Sequence, residues 1–417
     1  MFTRTSVGRP QLMIIKPEGE SQCNCESRST SPTGAGGRRH YREFCHCNCT
    51  CIHKCHHLHK ECATDEHRMG SPKMSPNILR ASSSLASVLE EMESGKLHVT
   101  GNFGDINGVG KPRRLGDFCI ERDLGEGAYA FVKQVRYRNM SVEGDNKSMV
   151  MKMVIKSKLL PEFILHDFES GLSLPVELYA LRHLREHPHP NVVSMVDAFE
   201  DPMYYYLLMP LHGNAEDLFE IIEKHDDFLP TDKIAKIFAQ VVMAVAHLHN
   251  VLGIAHRDIK DENIIIDEHD RIQLIDFGSC TYFRRGDAAQ LDIPPTVADV
   301  QVGRRLNQYH RFYGTVDYAP PEVVKGEAYE GPPQDIWALG ILLYILSFKE
   351  VPFRNFGEIL ELRLVLPFEP TPQIAFIIRQ LLQPDPAARP TAKDLVNDPW
   401  IVENYRLAME TNTTQDK

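Results

Sequence analysis

His256-Arg257-Asp258-Ile259-Lys260-Asp261-Glu262-Asn263 places a carboxylate, an ammonium and an amide at fixed offsets within one short stretch. These are the groups that phosphoryl transfer needs. Asp258 offers an acceptor for the proton of an attacking hydroxyl, Lys260 a cation for the travelling phosphoryl group, and Asn263 an amide oxygen for a metal ion. Downstream, Leu274-Ile275-Asp276-Phe277-Gly278 adds a second carboxylate after an apolar run. Asp276 is suited to Mg²⁺ bridging phosphates. The triplet His256-Arg257-Asp258 alone is a weak signal; its spacing to the rest is what narrows the chemistry.

Such groups need elements that hold them. Phe118-Cys119-Ile120 and Phe131-Val132-Lys133-Gln134-Val135 read as strands around the turn Gly125-Glu126-Gly127-Ala128-Tyr129-Ala130, and Met149 to Ile155 as a third, an antiparallel start. A glycine-rich turn lets backbone N–H groups approach phosphate, because no side chains intervene. Lys152 follows Gly127 by 25 residues. Lys156 is its rival; Lys152 is preferred because Val150 and Lys152 share one face at the strand period. Ser173-Leu174-Pro175-Val176-Glu177 reads as a helix start with Ser173 as cap, proline in the first turn and Glu177 one turn inside. An ion pair from Glu177 would hold Lys152 against the α- and β-phosphates. Val192 to Phe199 and Tyr204 to Met209 predict two more strands. Then the pattern changes: Ala235 to His249 is apolar at helical spacing, and Ile336 to Phe348 is apolar all round. The fold class expected is α+β, with a small antiparallel sheet lobe and a larger helical lobe.

With 417 residues, 42% of them hydrophobic, the chain can bury one large core or two modest ones. Its longest apolar run, Ile336 to Phe348, is shorter than the roughly 20 residues that a bilayer demands, so no transmembrane segment is expected. Leu12 to Ile15 is too short for a secretory core. The expected location is the cytoplasm, with the nucleus open. Net charge is −11 overall, but residues 1 to 115 carry 16 Lys+Arg against 11 Asp+Glu, leaving the remainder at −16. An acidic body favours basic peptides and disfavours nucleic acid as a partner.

Residues 1 to 115 lack the periodicity that buries a face, and read as a disordered region. Cys45, Cys47, Cys49, Cys51, Cys55 and Cys62 are interleaved there with His46, His53, His56, His57 and His59, a ligand set for Zn²⁺ or Cu⁺ whose spacing does not match a structural zinc finger. A Ser-rich stretch follows, with Ser71-Pro72 and Ser75-Pro76. It contains a short amphipathic piece, Leu85, Val88, Leu89 and Met92, stopped by Gly95.

Taken in order, these motifs resemble a eukaryotic protein kinase domain. The resemblance is carried by Gly125-x-Gly127, Lys152, Glu177, His256 to Asn263, Asp276-Phe277-Gly278, Gly314-Thr315, Pro321-Glu322, Asp335-x-Trp337-x-x-Gly340 and Arg389. Val150-Met151-Lys152, His256 to Asn263 and Leu274 to Ser279 are most similar to the PAS-domain kinases of the calmodulin-dependent group. The N-terminal region is too short and polar for a PAS domain, so only the catalytic part is shared. The resemblance implies a kinase domain over 116–401, with lobes at 116–209 and 213–401, and a C-terminal tail at 402–417. It implies ATP and Mg²⁺, serine and threonine acceptors on protein substrates, and a role in intracellular signalling. Asp258 is then the catalytic base, Lys260 and Lys152 contact phosphates, Asn263 and Asp276 hold the metal, and Glu177 pairs with Lys152. Leu124, Gly125, Glu126 and Gly127 cover the nucleotide. Val132, Val150 and Ile265 enclose adenine, and Met209 precedes a hinge of Pro210, Leu211 and His212. Glu322 pairs with Arg389, and Asp335 braces the catalytic loop.

Several positions depart from the family. Ala130 replaces the third glycine, Pro320 replaces the alanine of Ala-Pro-Glu, and Pro210 brings a hinge residue without an N–H. The segment from Gly278 to Gly314 is long and holds Arg284, Arg285, Arg304 and Arg305. Arg311 stands where relatives carry a phosphorylated threonine, so activity without that phosphate is expected. Arg311 would repel Arg257, which then needs a carboxylate (Asp287, Asp292 or Asp299), a phosphate (on Thr296, Tyr309 or Tyr313) or water, unless the long segment is a disordered excursion and Arg257 pairs elsewhere. A catalytically dead scaffold would lack Lys152, Asp258 or Asp276, and all three are present. A metal-responsive adaptor would rest on the Cys/His stretch alone.

Overall fold

A computed structural model describes residues 114–138, 148–166, 173–225, 227–283, 309 and 311–410. The N-terminal Cys/His and Ser-rich stretches, and the arginines, aspartates and Thr296 between 284 and 305, lie outside the described residues. The first three strands are β1 (Phe118–Glu126), β2 (Ala130–Tyr137) and β3 (Met149–Ile155), each antiparallel to the next. Alternation then sorts the side chains of β3. Met149, Met151 and Met153 enter a core with Val135, Phe199, Tyr206 and Leu208, while Val150 and Lys152 face the opposite way.

A hairpin of β4 (Ile164–His166) and β5 (Ser173–Pro175) leads into helix α1 (Val176–Glu186). The expected serine cap is corrected here. Ser173 lies opposite His166 in the hairpin, and Pro175 occupies the cap position without a side-chain bond. Pairing of Leu174 with Leu165 extends the chain where capping alone predicted a helix, and burial of Val176 to Leu181 fixes the helix start. Glu177 consequently lies in the first turn.

β6 (Asp197–Glu200) and β7 (Tyr204–Pro210) complete a five-stranded sheet in the order β1-β2-β3-β7-β6. The strand predicted from Val192 starts only at Asp197. Val192 makes an isolated parallel bridge to Leu274, and Val193 N–H donates to the Leu274 carbonyl at 3.0 Å, so these residues join the main core, which draws on both lobes, instead.

The second lobe holds β8 (Glu216–Asp217), α2 (Leu218–Lys224), α3 (Thr231–His247), β9 (Ile254–Ala255), β10 (Ile264–Ile266), β11 (Ile272–Leu274) and β12 (Thr281–Tyr282). After them come α4 (Pro321–Val324), α5 (Gly331–Phe348), α6 (Phe356–Glu361), α7 (Pro372–Leu381), α8 (Ala392–Leu395) and α9 (Pro399–Glu410). The α+β, two-lobed architecture read from the sequence is present. Thr231–Leu252 is, among the described residues, the one helix long and apolar enough to cross a membrane, and 72% of its most apolar window is buried inside the protein. α5 is buried from Gln334 to Phe348, as a helix apolar on all sides must be. The boundary drawn at 401 falls inside α9. That helix packs on α3, and Arg271 Nη2 donates to the Met409 carbonyl near its end at 2.7 Å.

Gly340 is where α5 meets the end of α7. A Cβ there would lie 2.7 Å from Leu382 Cδ2 and 2.9 Å from Leu381 Cβ. Gly340→Ala is therefore expected to lower unfolding stability by about 1–3 kcal/mol through overpacking, measured by urea denaturation; an unchanged midpoint would contradict the close approach.

Candidate active site

The stretch from His256 to Asn263 owes its shape to a carboxylate far away in sequence. Asp335, fully buried on α5, accepts from the backbone N–H of His256 at 2.8 Å and of Arg257 at 2.7 Å, and pairs with His249 Nε2 at 2.8 Å. Gln334 donates to the Arg257 carbonyl at 2.8 Å. These bonds hold Arg257 at φ +67°, a conformation costing a non-glycine residue about 1–2 kcal/mol. Asp276 is held at φ +66°. One strained residue thus adjoins Asp258, and the other is Asp276 itself.

Asp258 comes next. Its Oδ1 accepts from Thr315 N–H and Oγ1, each at 3.0 Å, and its Oδ2 from Asn263 Nδ2 at 3.1 Å. Lys260 Nζ donates to Thr315 Oγ1 at 3.0 Å, lies 2.9 Å from Glu262, and is 3.6 Å from Asp258. Burial would depress the Lys260 ammonium, but Asp258 and Glu262 outweigh it and raise its pKa. Thr315 therefore joins the Asp258 carboxylate to the Lys260 ammonium. Reading Gly314-Thr315 only as a family motif missed this role; the signal available was a hydroxyl beside a glycine. That glycine is required, because a Cβ on Gly314 would lie 2.7 Å from the Arg257 carbonyl.

On the first lobe, Lys152 Nζ lies 2.6 Å from Glu177 Oε1 and 2.8 Å from Asp276 Oδ1. Lys156 is elsewhere, 2.5 Å from Glu200 and over the Tyr205 ring, so the choice between the two lysines falls to Lys152. Burial opposes the charge on Lys152, yet Asp276 and Glu177 hold its pKa above the ordinary value. Asp276 is driven well below the carboxylate range: partial desolvation works against this, and Lys152 overrides it, helped by the Gly278 N–H. Glu177 moves upward, through burial first and Asp276 besides, despite Lys152. Phe277 packs edge-on against His256 at 5.0 Å, which ties Asp276 to the catalytic stretch.

Strand register gathers the residues expected around a nucleotide. Val132 lies opposite Lys152, Val150 opposite Met209, and Gly125 opposite Val132, and cross-strand partners share a face. Ile265 on β10 is half-buried between the fully buried Ile264 and the buried Ile266. Leu124 and Glu126 end β1, and Gly127 N–H donates to the Ala130 carbonyl at 2.8 Å, closing the turn. Pro210 ends β7 opposite Met149, followed by Leu211. For Mg²⁺ the donors fit. Asn263 spends its Nδ2 on the Asp258 carbonyl at 2.7 Å, leaving its amide oxygen, and the hydrogen bonds of Asp276 fall on Oδ1, leaving Oδ2. Hard oxygen donors suit that ion. Among the described residues, no group of three or more His, Cys, Asp or Glu could hold a metal. The Zn²⁺ or Cu⁺ reading, which rests on residues outside them, is unsupported.

Of the partners expected for Arg257, Asp287, Asp292, Asp299 and Thr296 lie outside the described residues, and Tyr309 and Tyr313 lie beside it. Arg257 is neither in water nor, among the described residues, paired to a carboxylate. It is buried with its guanidinium 4.4 Å from the Tyr309 ring centre, 5.6 Å from Tyr313 and 5.9 Å from Tyr329, and donates to Tyr329 Oη at 2.9 Å. Nor does Arg311 face it: Arg311 Nη1 bonds Glu162 Oε1 at 3.0 Å. Neither the tyrosine box nor Glu162 was foreseen, since each links residues remote in sequence.

Similarity to known proteins agrees with this geometry. The model of the protein kinase domain matches residues 118–401. "Serine/threonine-protein kinase PSK1" of Saccharomyces cerevisiae is 36% identical over 352 residues, 82% of this chain and 23% of that protein. "Serine/threonine-protein kinase ppk6" of Schizosaccharomyces pombe is 34% identical over 311 residues, 75% of this chain and 36% of that protein. The mouse "PAS domain-containing serine/threonine-protein kinase" is 36% identical over 290 residues, 69% of this chain and 19% of that protein. The chain thus spans about a third or less of the length of these relatives.

The Lys152 cluster carries a pH signature. In Lys152→Met, Glu177 and Asp276 lose their cation, and the pKa of Glu177, already raised by burial, climbs further above its unfolded value. A raised folded pKa gives stability at low pH that is lost as pH rises through it. The variant's deficit, about 3 kcal/mol at neutral pH, is therefore expected to shrink at pH 5 and grow toward pH 8 in urea denaturation; a pH-independent deficit would count against the pairing.

Proposed function

The chain belongs to the protein kinase family, and on that premise we propose that it transfers the γ-phosphoryl group of ATP to serine and threonine hydroxyls of proteins, as part of intracellular signalling. The observation that carries this reading is Asp258 held by Thr315 and Asn263 beside Lys260, with Lys152, Glu177 and Asp276 joined across from it. Asp258 orients the acceptor hydroxyl and takes its proton. Lys260, kept charged by its carboxylate neighbours, balances charge on the phosphoryl group in flight. Lys152, directed by Glu177, grips the α- and β-phosphates. Asn263 and Asp276 would hold Mg²⁺, which neutralises the phosphate oxygens when bound. Val132, Val150, Ile265 and Leu124 enclose adenine, and the backbone from Met209 to Leu211 bonds its edge.

The substrates we propose carry basic residues before the acceptor. Glu216 and Glu262 carry the negative charge that supports this reading, and Asp217 lies beside them, its carboxyl raised to about 6 by burial first, with Glu220, Asp261 and Glu262 adding repulsion. Glu216 and Glu262 each already have a lysine, Lys224 at 3.0 Å and Lys260 at 2.9 Å. A peptide arginine shares these carboxylates, and each partly exposed pair is worth no more than about 1 kcal/mol.

One experiment tests function and specificity together. Protein made in bacteria, with complete dephosphorylation confirmed by mass spectrometry, is expected to phosphorylate serine and threonine on a peptide array with Mg²⁺·ATP. Peptides with arginine or lysine before the acceptor should be preferred, less so at high salt. Acidic or proline-directed selection would refute the specificity, and activity at background would refute phosphate-independence. Asp258→Asn should lose turnover by about 10²–10⁴-fold while still binding ATP; wild-type turnover in that variant would refute the role of Asp258.

A further inference from the structure

We propose that Glu162 is a positioning residue for phosphoryl transfer. From the segment before α1 it grips Arg311 and Tyr313, and so couples the Lys152–Glu177 pair to the Thr315–Asp258 contact without a phosphate. The inference rests on the kinase reading above and adds a residue that no motif marks.

Glu162 occupies a short 3₁₀ turn, Pro161–Phe163. Its neighbour Phe163 is buried in the main core and meets the Tyr313 ring edge-on at 4.7 Å. The carboxylate accepts from Arg311 Nη1 at 3.0 Å and from the Tyr313 hydroxyl. The Tyr313 hydroxyl first, against burial, and then Arg311 hold the Glu162 carboxyl below its ordinary range. It is thus an anion at working pH, with two donors.

What makes the contact more than a surface ion pair is what lies at either end. Ile164 is paired with Pro175 at the base of the β4–β5 hairpin. Glu162 is two residues before that pair and Glu177 two residues after it, so the hairpin base joins them despite fifteen intervening steps of sequence. On the other side, Tyr313 is two residues from Thr315, whose N–H and hydroxyl bind Asp258. Phe312, between Arg311 and Tyr313, is buried in a separate cluster with Ala319, Val323 and Tyr329, which stiffens the link. A displacement of 311–313 therefore moves both the catalytic carboxylate's partner and the start of α1. A second tie, Tyr282 Oη to His183 Nδ1 at 2.9 Å, holds α1 one side chain at a time from the other end of the segment.

The charges run opposite to those of a phosphate-ordered segment. There, an anion added to the loop attracts cations around it. Here the loop supplies the cation, Arg311, and the first lobe supplies the anion. Arg257 makes no competing claim on Glu162, since tyrosines enclose it.

The test uses the full dephosphorylated chain, with steady-state kinetics on a basic peptide. Glu162→Ala is expected to lower kcat about tenfold, and Glu162→Gln, which keeps an acceptor for Tyr313, about threefold. Glu162→Arg and Arg311→Glu should each be impaired, and their combination should recover activity beyond the product of the two singles. Hydrogen exchange should quicken in both α1 and 311–318 in the single variants. If Glu162→Gln and Glu162→Ala stay within about twofold of wild type, or the charge swap recovers nothing, the proposal is wrong. A wild-type chain active when phosphorylated but inactive after dephosphorylation would refute coupling without a phosphate, and a chain inactive in both forms would overturn the kinase reading instead, so the failures are distinct.

Discussion

A single buried carboxylate underlies the geometry of this protein. Asp335 has no exposure, and its two oxygens take the backbone N–H groups of His256 and Arg257 and the ring of His249. Burying a carboxylate is costly unless its lone pairs are filled, and filling them here fixes the backbone of the catalytic stretch. Because α5 is buried along most of its length, Asp335 cannot move without disturbing the core of the second lobe. The strain in Arg257 is thereby opposed by packing, and Asp258 emerges in one orientation.

The same logic of paired buried charge recurs at two other places. Glu322 and Arg389 form a bidentate pair, 2.7 Å at both nitrogens, almost without exposure, with the guanidinium 5.1 Å from the Trp337 ring. It anchors the turn that follows Thr315. Lys152, Glu177 and Asp276 differ, because one cation serves two carboxylates and Asp276 remains 44% exposed. Two anions sharing one buried ammonium are suited to receiving further positive charge, whereas the Glu322–Arg389 pair is complete in itself.

Arg257 shows a different solution to burying a charge. With no carboxylate among the described residues, it is enclosed by three tyrosine rings and one hydroxyl, and its Nε lacks a partner. Aromatic faces offset part of the desolvation. Tyr329 does two jobs, accepting from Arg257 and donating to the Arg311 carbonyl at 2.7 Å, so the arginine and the backbone at Arg311 are held by the same residue. This leaves Arg311 to reach the first lobe.

Alone, the sequence determined whatever depends on local spacing. The alternation in Met149 to Ile155, the helical period of Ala235 to His249 and the all-round apolarity of Ile336 to Phe348 reached the structure as β3, α3 and α5, since each is a property of residues within one or two turns or pleats. Asp258, Lys260, Asn263 and Asp276 were legible for the same reason: their offsets are short. Tertiary structure decided the rest. Ser173 became a strand residue because a hairpin partner lay across from it, and Val192 left its strand for a bridge to Leu274. α9 carried the fold past 401 because α3 offered it a surface. Thr315 reaches Asp258 across 57 residues, and Glu162 reaches Arg311 across 149. No local pattern encodes such contacts, because they exist only once the folded chain brings remote side chains within hydrogen-bonding distance.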